Sequence, residues 1–163
     1  MILAGLLNAM KILGSDLKDH KIMFVGAGSA ADGVAHEVMN YLISKNKLPK
    51  EEALSHFYFV DSKGLLTKNR GDKLRSFQHQ FARSDNGNKQ FPDLLSSIEH
   101  VRPSILIGLT GVGGIFRKDA IQQMYKHVKK PVIFPLSNPT KNSECSFEDV
   151  SLFVFFKNLE TKK

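Results

Sequence analysis

Residues 26–31 read Gly26-Ala27-Gly28-Ser29-Ala30-Ala31, a G-x-G-x-x-A pattern set between an apolar run and a helical one. Each small residue has a physical reason. Gly26 permits a tight turn, Gly28 lets backbone approach a diphosphate, and Ala31 allows close helix–strand packing. The helix that follows offers free N–H groups and the positive end of its dipole to phosphate. A glycine pattern alone is a weak signal, and a plain structural turn is the competing reading. The strand before it and the helix after it favour nucleotide binding.

Asp61 closes a second apolar run, Phe57-Tyr58-Phe59-Val60. Dinucleotide-binding folds place an acid there to accept hydrogen bonds from the adenosine ribose; the alternative is an acid capping a turn. Its separation from Gly28 exceeds the usual ~20 residues, an excess that an extra helix near residue 50 accounts for. A carboxylate here repels a ribose 2′-phosphate, which favours NAD over NADP unless a cation such as Lys63 or Arg70 offsets it. Gly108-Leu109-Thr110-Gly111-Val112-Gly113-Gly114 closes a third run, where bare backbone either admits a flat ring or serves as a flexible connector. Ser137-Asn138-Pro139-Thr140 closes a fourth. Asn138 offers a donor and an acceptor to a carboxamide or hydroxy acid, or simply makes an Asn-Pro turn.

Other constellations carry no chemistry. His36-Glu37 begins a zinc-binding H-E-x-x-H pattern, but Asn40 and Tyr41 follow where the second histidine would stand. Glu51-Glu52 and Glu148-Asp149 are adjacent pairs on helices, so their carboxylates diverge. Ser146 with Asp149 reads as a helix cap. Cys145 lacks an activating histidine and reads as an inert thiol.

The elements that must position these residues follow from periodicity. Leu3, Leu6, Leu7 and Met10 predict an opening helix stopped at Gly14. Strands are predicted over 21–25, 57–60, 104–109 and 132–136, and helices over 30–44, 50–55, 93–100 and 118–129. Pro49 opens the second of those helices. Residues 67–92, broken by Asn69, Gly71, Asn86 and Gly87, are predicted to be mostly loop. Near-continuous apolar strands alternating with helices predict an α/β fold, an open and mostly parallel sheet of Rossmann type with helices on both faces.

At 163 residues the chain suits one domain. Its net charge of +7 comes from scattered basic residues. The densest groups, over 126–130 and at the carboxyl end, have no interleaved aromatics, so solvated faces rather than a nucleic-acid partner are expected. No run reaches the ~18 apolar residues of a membrane span. A single cysteine excludes an internal disulfide framework.

The strings Ala4-Gly5-Leu6-Leu7-Asn8-Ala9, Val25-Gly26-Ala27-Gly28-Ser29-Ala30, Val60-Asp61-Ser62-Lys63-Gly64-Leu65, Gly111-Val112-Gly113-Gly114 and Leu136-Ser137-Asn138-Pro139-Thr140 occur in that order. In order and spacing, residues 2–150 resemble the cofactor domain of malic enzymes, which oxidise malate to pyruvate and carbon dioxide with NAD or NADP and a divalent cation. The resemblance implies that Gly26, Ala27, Gly28, Ser29, Ala30 and Ala31 hold the diphosphate and that Asp61 holds the adenosine ribose. It implies that Leu109, Thr110 and Gly111 border the nicotinamide, and that Asn138 touches the nicotinamide ribose or the malate. Gln78 falls where NADP-preferring members often carry lysine, which agrees with NAD as cofactor and leaves NADP possible. An intracellular setting, cytoplasmic or in the mitochondrial matrix, and a homo-oligomeric whole enzyme are expected with it.

Departures from the family pattern matter too. Asp32 replaces a usually apolar residue and adds charge near the phosphates. Beyond residue 150 the chain diverges into an apolar, lysine-ended tail over 151–163. The family's tyrosine, lysine and metal-binding acids (ligands for magnesium or manganese) belong to a segment preceding Met1, so no catalytic or metal residue is assigned here. The expectation is a cofactor domain truncated at both ends that binds without turnover; the alternative is a free-standing, non-catalytic dinucleotide module.

Overall fold

The computed structural model describes residues 1–150, the side chain of Asp72 excepted. Helix α1, Ile2–Leu13, ends at Gly14 in the left-handed conformation, the usual helix stop where a Cβ would be strained. Strand β1 is Ile22–Val25, helix α2 is Ser29–Ser44, and helix α3 is Lys50–Ser55, with Pro49 at its N-cap. Strand β2, Phe57–Asp61, is followed at once by β3, Gly64–Leu65. Then come α4 (Leu94–Val101), β4 (Ile105–Gly108), α5 (Lys118–His127) and β5 (Val132–Pro135).

These strands form one sheet in the order β3-β2-β1-β4-β5. The β1–β2, β1–β4 and β4–β5 pairs are parallel, and β2–β3 is antiparallel. Strand β3, which begins at Gly64, is not among the four strands that periodicity predicts. Two residues are too few to show alternation, and glycine is required there because a Cβ would meet the carbonyl of Phe91.

Alternate residues of each buried strand point to opposite faces, so the sheet has two cores. Phe24, Phe57, Phe59, Ile105 and Ile107 pack with α1 and α2 on one face. Met23, Val25, Tyr58, Val60 and Leu106 pack with α4 and α5 on the other. Ala31 is fully buried at the start of α2, which is the close packing its small size allows. The segment over 67–92 forms no α-helix or strand, as expected of a stretch that is mostly loop, but Leu74, Phe81 and Ala82 pack it onto the core. It holds 3₁₀ turns over Lys68–Lys73 and Ser76–Gln78 and a bridge between Thr67 and Arg83. Phe81 anchors it, 4.6 Å from the ring of Phe59 and edge-on to Phe57. The divergent tail over 151–163 lies outside the described residues.

Register sets the site. Val25 pairs with Val60 and with Gly108, and Gly108 pairs with Pro135. The residues that follow, Gly26, Asp61, Leu109 and Leu136, therefore emerge along one edge. Strand order reverses at β1, with β2 on one side and β4 on the other, and open α/β sheets bind ligands at such a switch point.

Candidate functional site

A cavity of about 1120 Å³ opens along that edge, ample for a dinucleotide against the ~300–1,000 Å³ of ordinary ligand pockets. Gly26, Ala27 and Gly28 line it from β1, Asp61 and Ser62 from β2, and Leu109 and Thr110 from β4. Gly26 has φ 106°, and a Cβ on it would strike the carbonyl of Leu109. Both the backbone twist and the close approach require glycine there. A Cβ on Gly28 would meet nothing within 4 Å, so open space lies above the loop. Gly28 is the N-cap of α2, and no side chain caps that helix start, which leaves its N–H groups to an anion.

Of the other residues expected at the cofactor, Ser29 and Ala30 are exposed at the first turn of α2, and Ala31 is buried beneath it. Gly111 donates its N–H to Ser137 Oγ at 2.8 Å. Asn138 is exposed beyond β5, with its amide 3.5 Å from the carbonyl of Leu136. Neither Gly111 nor Asn138 lines the cavity. Asp32 also lies off it and sits 3.4 Å from His36 Nδ1.

Asp61 and Gln78, the two residues expected at the adenosine, are both engaged within the protein. Asp61 is not a lone carboxylate, because both its oxygens accept from Arg70 Nη1, at 2.7 and 2.8 Å. One of them also accepts the N–H of Lys63 at 2.8 Å. Gln78 does not face the cavity. It is 6% exposed, and its Nε2 donates to the carbonyl of Ala27 at 2.8 Å. Its Oε1 accepts the N–H of Arg75 at 3.0 Å. A lysine, which has no acceptor, could not make that second bond. Gln78 is thus a strut between the glycine loop and Arg75, which lines the same cavity as Asp61 and Ser62.

The other end is organised by Glu144, a residue the sequence reading passed over. Its fully buried carboxylate accepts from the N–H and hydroxyl of Thr110, at 3.0 and 3.1 Å. It also accepts from the hydroxyl of Ser137 and, at 3.2 Å, from the Ser137 N–H. Burial pushes its pKa up, but the hydrogen bonds from Ser137 and Thr110 outweigh burial and hold it below the ordinary glutamate value. Glu144 thereby joins the loops after β4 and β5. Neighbouring Cys145 is buried, and desolvation, with Asp149 and Glu144 adding, pushes its thiol up to about 11, so it is unreactive at neutral pH. Ser146 and Asp149 make the expected reciprocal cap.

Pro92, Leu94 and Leu95 supply an apolar wall, and Arg117 and Asp119 stand at the start of α5. Sequence reasoning missed these because only the packing of α4 and α5 brings them to the edge. Among the described residues, no three of His, Cys, Asp and Glu gather to hold a metal ion. No helix among them is long and apolar enough to cross a membrane.

A family model described as malic enzyme, NAD binding domain, matches residues 1–156. An NADP-dependent malic enzyme of Dictyostelium discoideum is 47% identical, with 91% of this chain and 27% of that protein covered. An NADP-dependent malic enzyme of Vitis vinifera is 40% identical, with 91% and 25% covered. The crystal structure of Entamoeba histolytica malic enzyme shares the fold with a TM-score of 0.67 at 24% identity, covering 93% of this chain and 29% of that one. The chain spans about a quarter of the length of the curated relatives it matches.

Proposed function

The chain belongs to the malic enzyme family as its NAD-binding domain, and on that premise we propose that the cavity at the strand ends binds NAD(P) for the oxidative decarboxylation of malate. The observation that carries this reading is the convergence of Gly26, Gly28, Asp61, Leu109 and Thr110 on one cavity beside an uncapped helix start. In the proposed complex the start of α2 receives the diphosphate, and the backbone of Gly26 and Gly28 gives it room. Asp61 accepts a ribose hydroxyl while Arg70 balances its charge. Leu109 and Thr110, the latter held by Glu144, border the nicotinamide. Asn138 reaches the nicotinamide ribose or malate from the neighbouring loop. Bound NAD(P) supplies the hydride acceptor.

No described residue is assigned the base that takes the malate hydroxyl proton. A homo-oligomeric whole enzyme and an intracellular setting, cytoplasmic or in an organelle matrix, belong to the same reading. The engagement of Asp61 by Arg70 removes the expected repulsion of a 2′-phosphate, so the site is proposed to accept NADP as well as NAD.

Calorimetric titration of the chain with NAD and with NADP tests the reading. The expected result is weak, saturable binding of at least one of them. Absence of heat with both, from a folded sample, would overturn it. The chain with malate, NADP and manganese is expected to give no turnover above a no-enzyme control.

A further inference from the structure

Three features at the adenosine end are independent of one another. First, the negative charge of Asp61 is already matched by Arg70, whose side chain is 9% exposed. Second, Arg75 lines the same cavity as Asp61 and Ser62 and is exposed. Among the described residues no acid pairs with its guanidinium. Third, the backbone of Arg75 is fixed by Gln78, which is itself tied to Ala27 of the glycine loop. Of the two arginines that line the cavity, Arg117 pairs with Asp119, which leaves Arg75 as the cation there with no acid matched to it among the described residues.

We propose that Arg75 is the specificity-determining residue for a 2′-phosphorylated adenosine, and that it makes this site prefer NADP to NAD. This rests on the dinucleotide reading above and adds the choice of cofactor. A guanidinium offers paired donors matched to a phosphate's oxygens, which an unphosphorylated ribose cannot use. Position 78 cannot supply the cation, because its buried amide is consumed as a strut. The cation comes instead from the residue that the strut holds.

The whole 163-residue chain is titrated with NAD, NADP, adenosine 5′-monophosphate and adenosine 2′,5′-bisphosphate. NADP and the bisphosphate are expected to bind roughly tenfold tighter than their unphosphorylated counterparts at low salt, with the margin shrinking as salt screens an exposed contact. Arg75→Ala is expected to cut the NADP-to-NAD affinity ratio to within about threefold of one, Arg75→Lys to keep part of it, and Arg75→Glu to invert it. The backbone bond to Gln78 survives all three changes, and a circular dichroism spectrum matching the parent establishes folding. A parent chain that binds NAD yet shows no preference for NADP, or an Arg75→Ala variant with the parent's ratio, overturns the role of Arg75 alone. A chain that binds none of the four ligands overturns the dinucleotide reading itself.

Discussion

Gly108 lies directly against the carboxylate of Glu144, so closely that a Cβ at position 108 would overlap the carboxyl group. Neither partner can yield easily. Gly108 is locked in β4 between β1 and β5, and Glu144 is held by Thr110 and Ser137. Gly108→Ala is expected to destabilise the chain by ~1–3 kcal/mol, the usual cost of overpacking. In a thermal melt that is a fall of roughly 3–10 °C for a domain of this size. An unchanged melt would mean that Glu144 can swing away, and that it does not hold the loop after β4.

The buried charge of Glu144 also predicts a pH dependence. Its folded pKa lies below the ordinary value, so the native state favours the carboxylate. That stabilisation is complete above the unfolded pKa and disappears as pH falls through the folded one. Glu144→Gln keeps the shape and removes the charge. At about pH 7 it is expected to cost ~1–3 kcal/mol, the worth of charge-assisted bonds with their buried partners. Urea denaturation at a series of values down to about pH 3 should show the gap to the parent closing through the acid range. A gap of constant size would place the loss in packing rather than charge.

Arg70→Ala leaves Asp61 with its charge and without its cation. The bare carboxylate should then repel a 2′-phosphate, so NADP affinity is expected to fall about three- to thirtyfold further than NAD affinity. Competition titration at one fixed salt concentration reads this directly. Equal losses for the two cofactors would assign Arg70 only to holding the strand end, through its bond to the carbonyl of Leu65.

What the chain declares locally was legible in its letters. Val25-Gly26-Ala27-Gly28 announced a strand, a turn and a helix start because all three depend on neighbours in sequence. The four long apolar runs were legible for the same reason. Strand β3 was not, since Gly64 and Leu65 become a strand only through β2. Gln78 shows the limit most clearly. Its alignment with a family position placed it at the cofactor, yet its amide meets Ala27 from 51 residues away. Glu144 meets Thr110 across 34 residues. No periodicity encodes either approach, because each arises from a layer of chain packing back over the sheet edge.

The Gln78 strut also makes two distant parts of a ligand answer to each other. Ala27 borders the place proposed for the diphosphate, and Arg75 borders the place proposed for the ribose phosphate. One amide orders both, so a molecule that engages the first finds the second already arranged. Such a molecule binds as a chelate, with a high effective concentration for its second contact. Its affinity should exceed the product expected from its separate halves. Cutting the strut would return the two contacts to independence even where each survives.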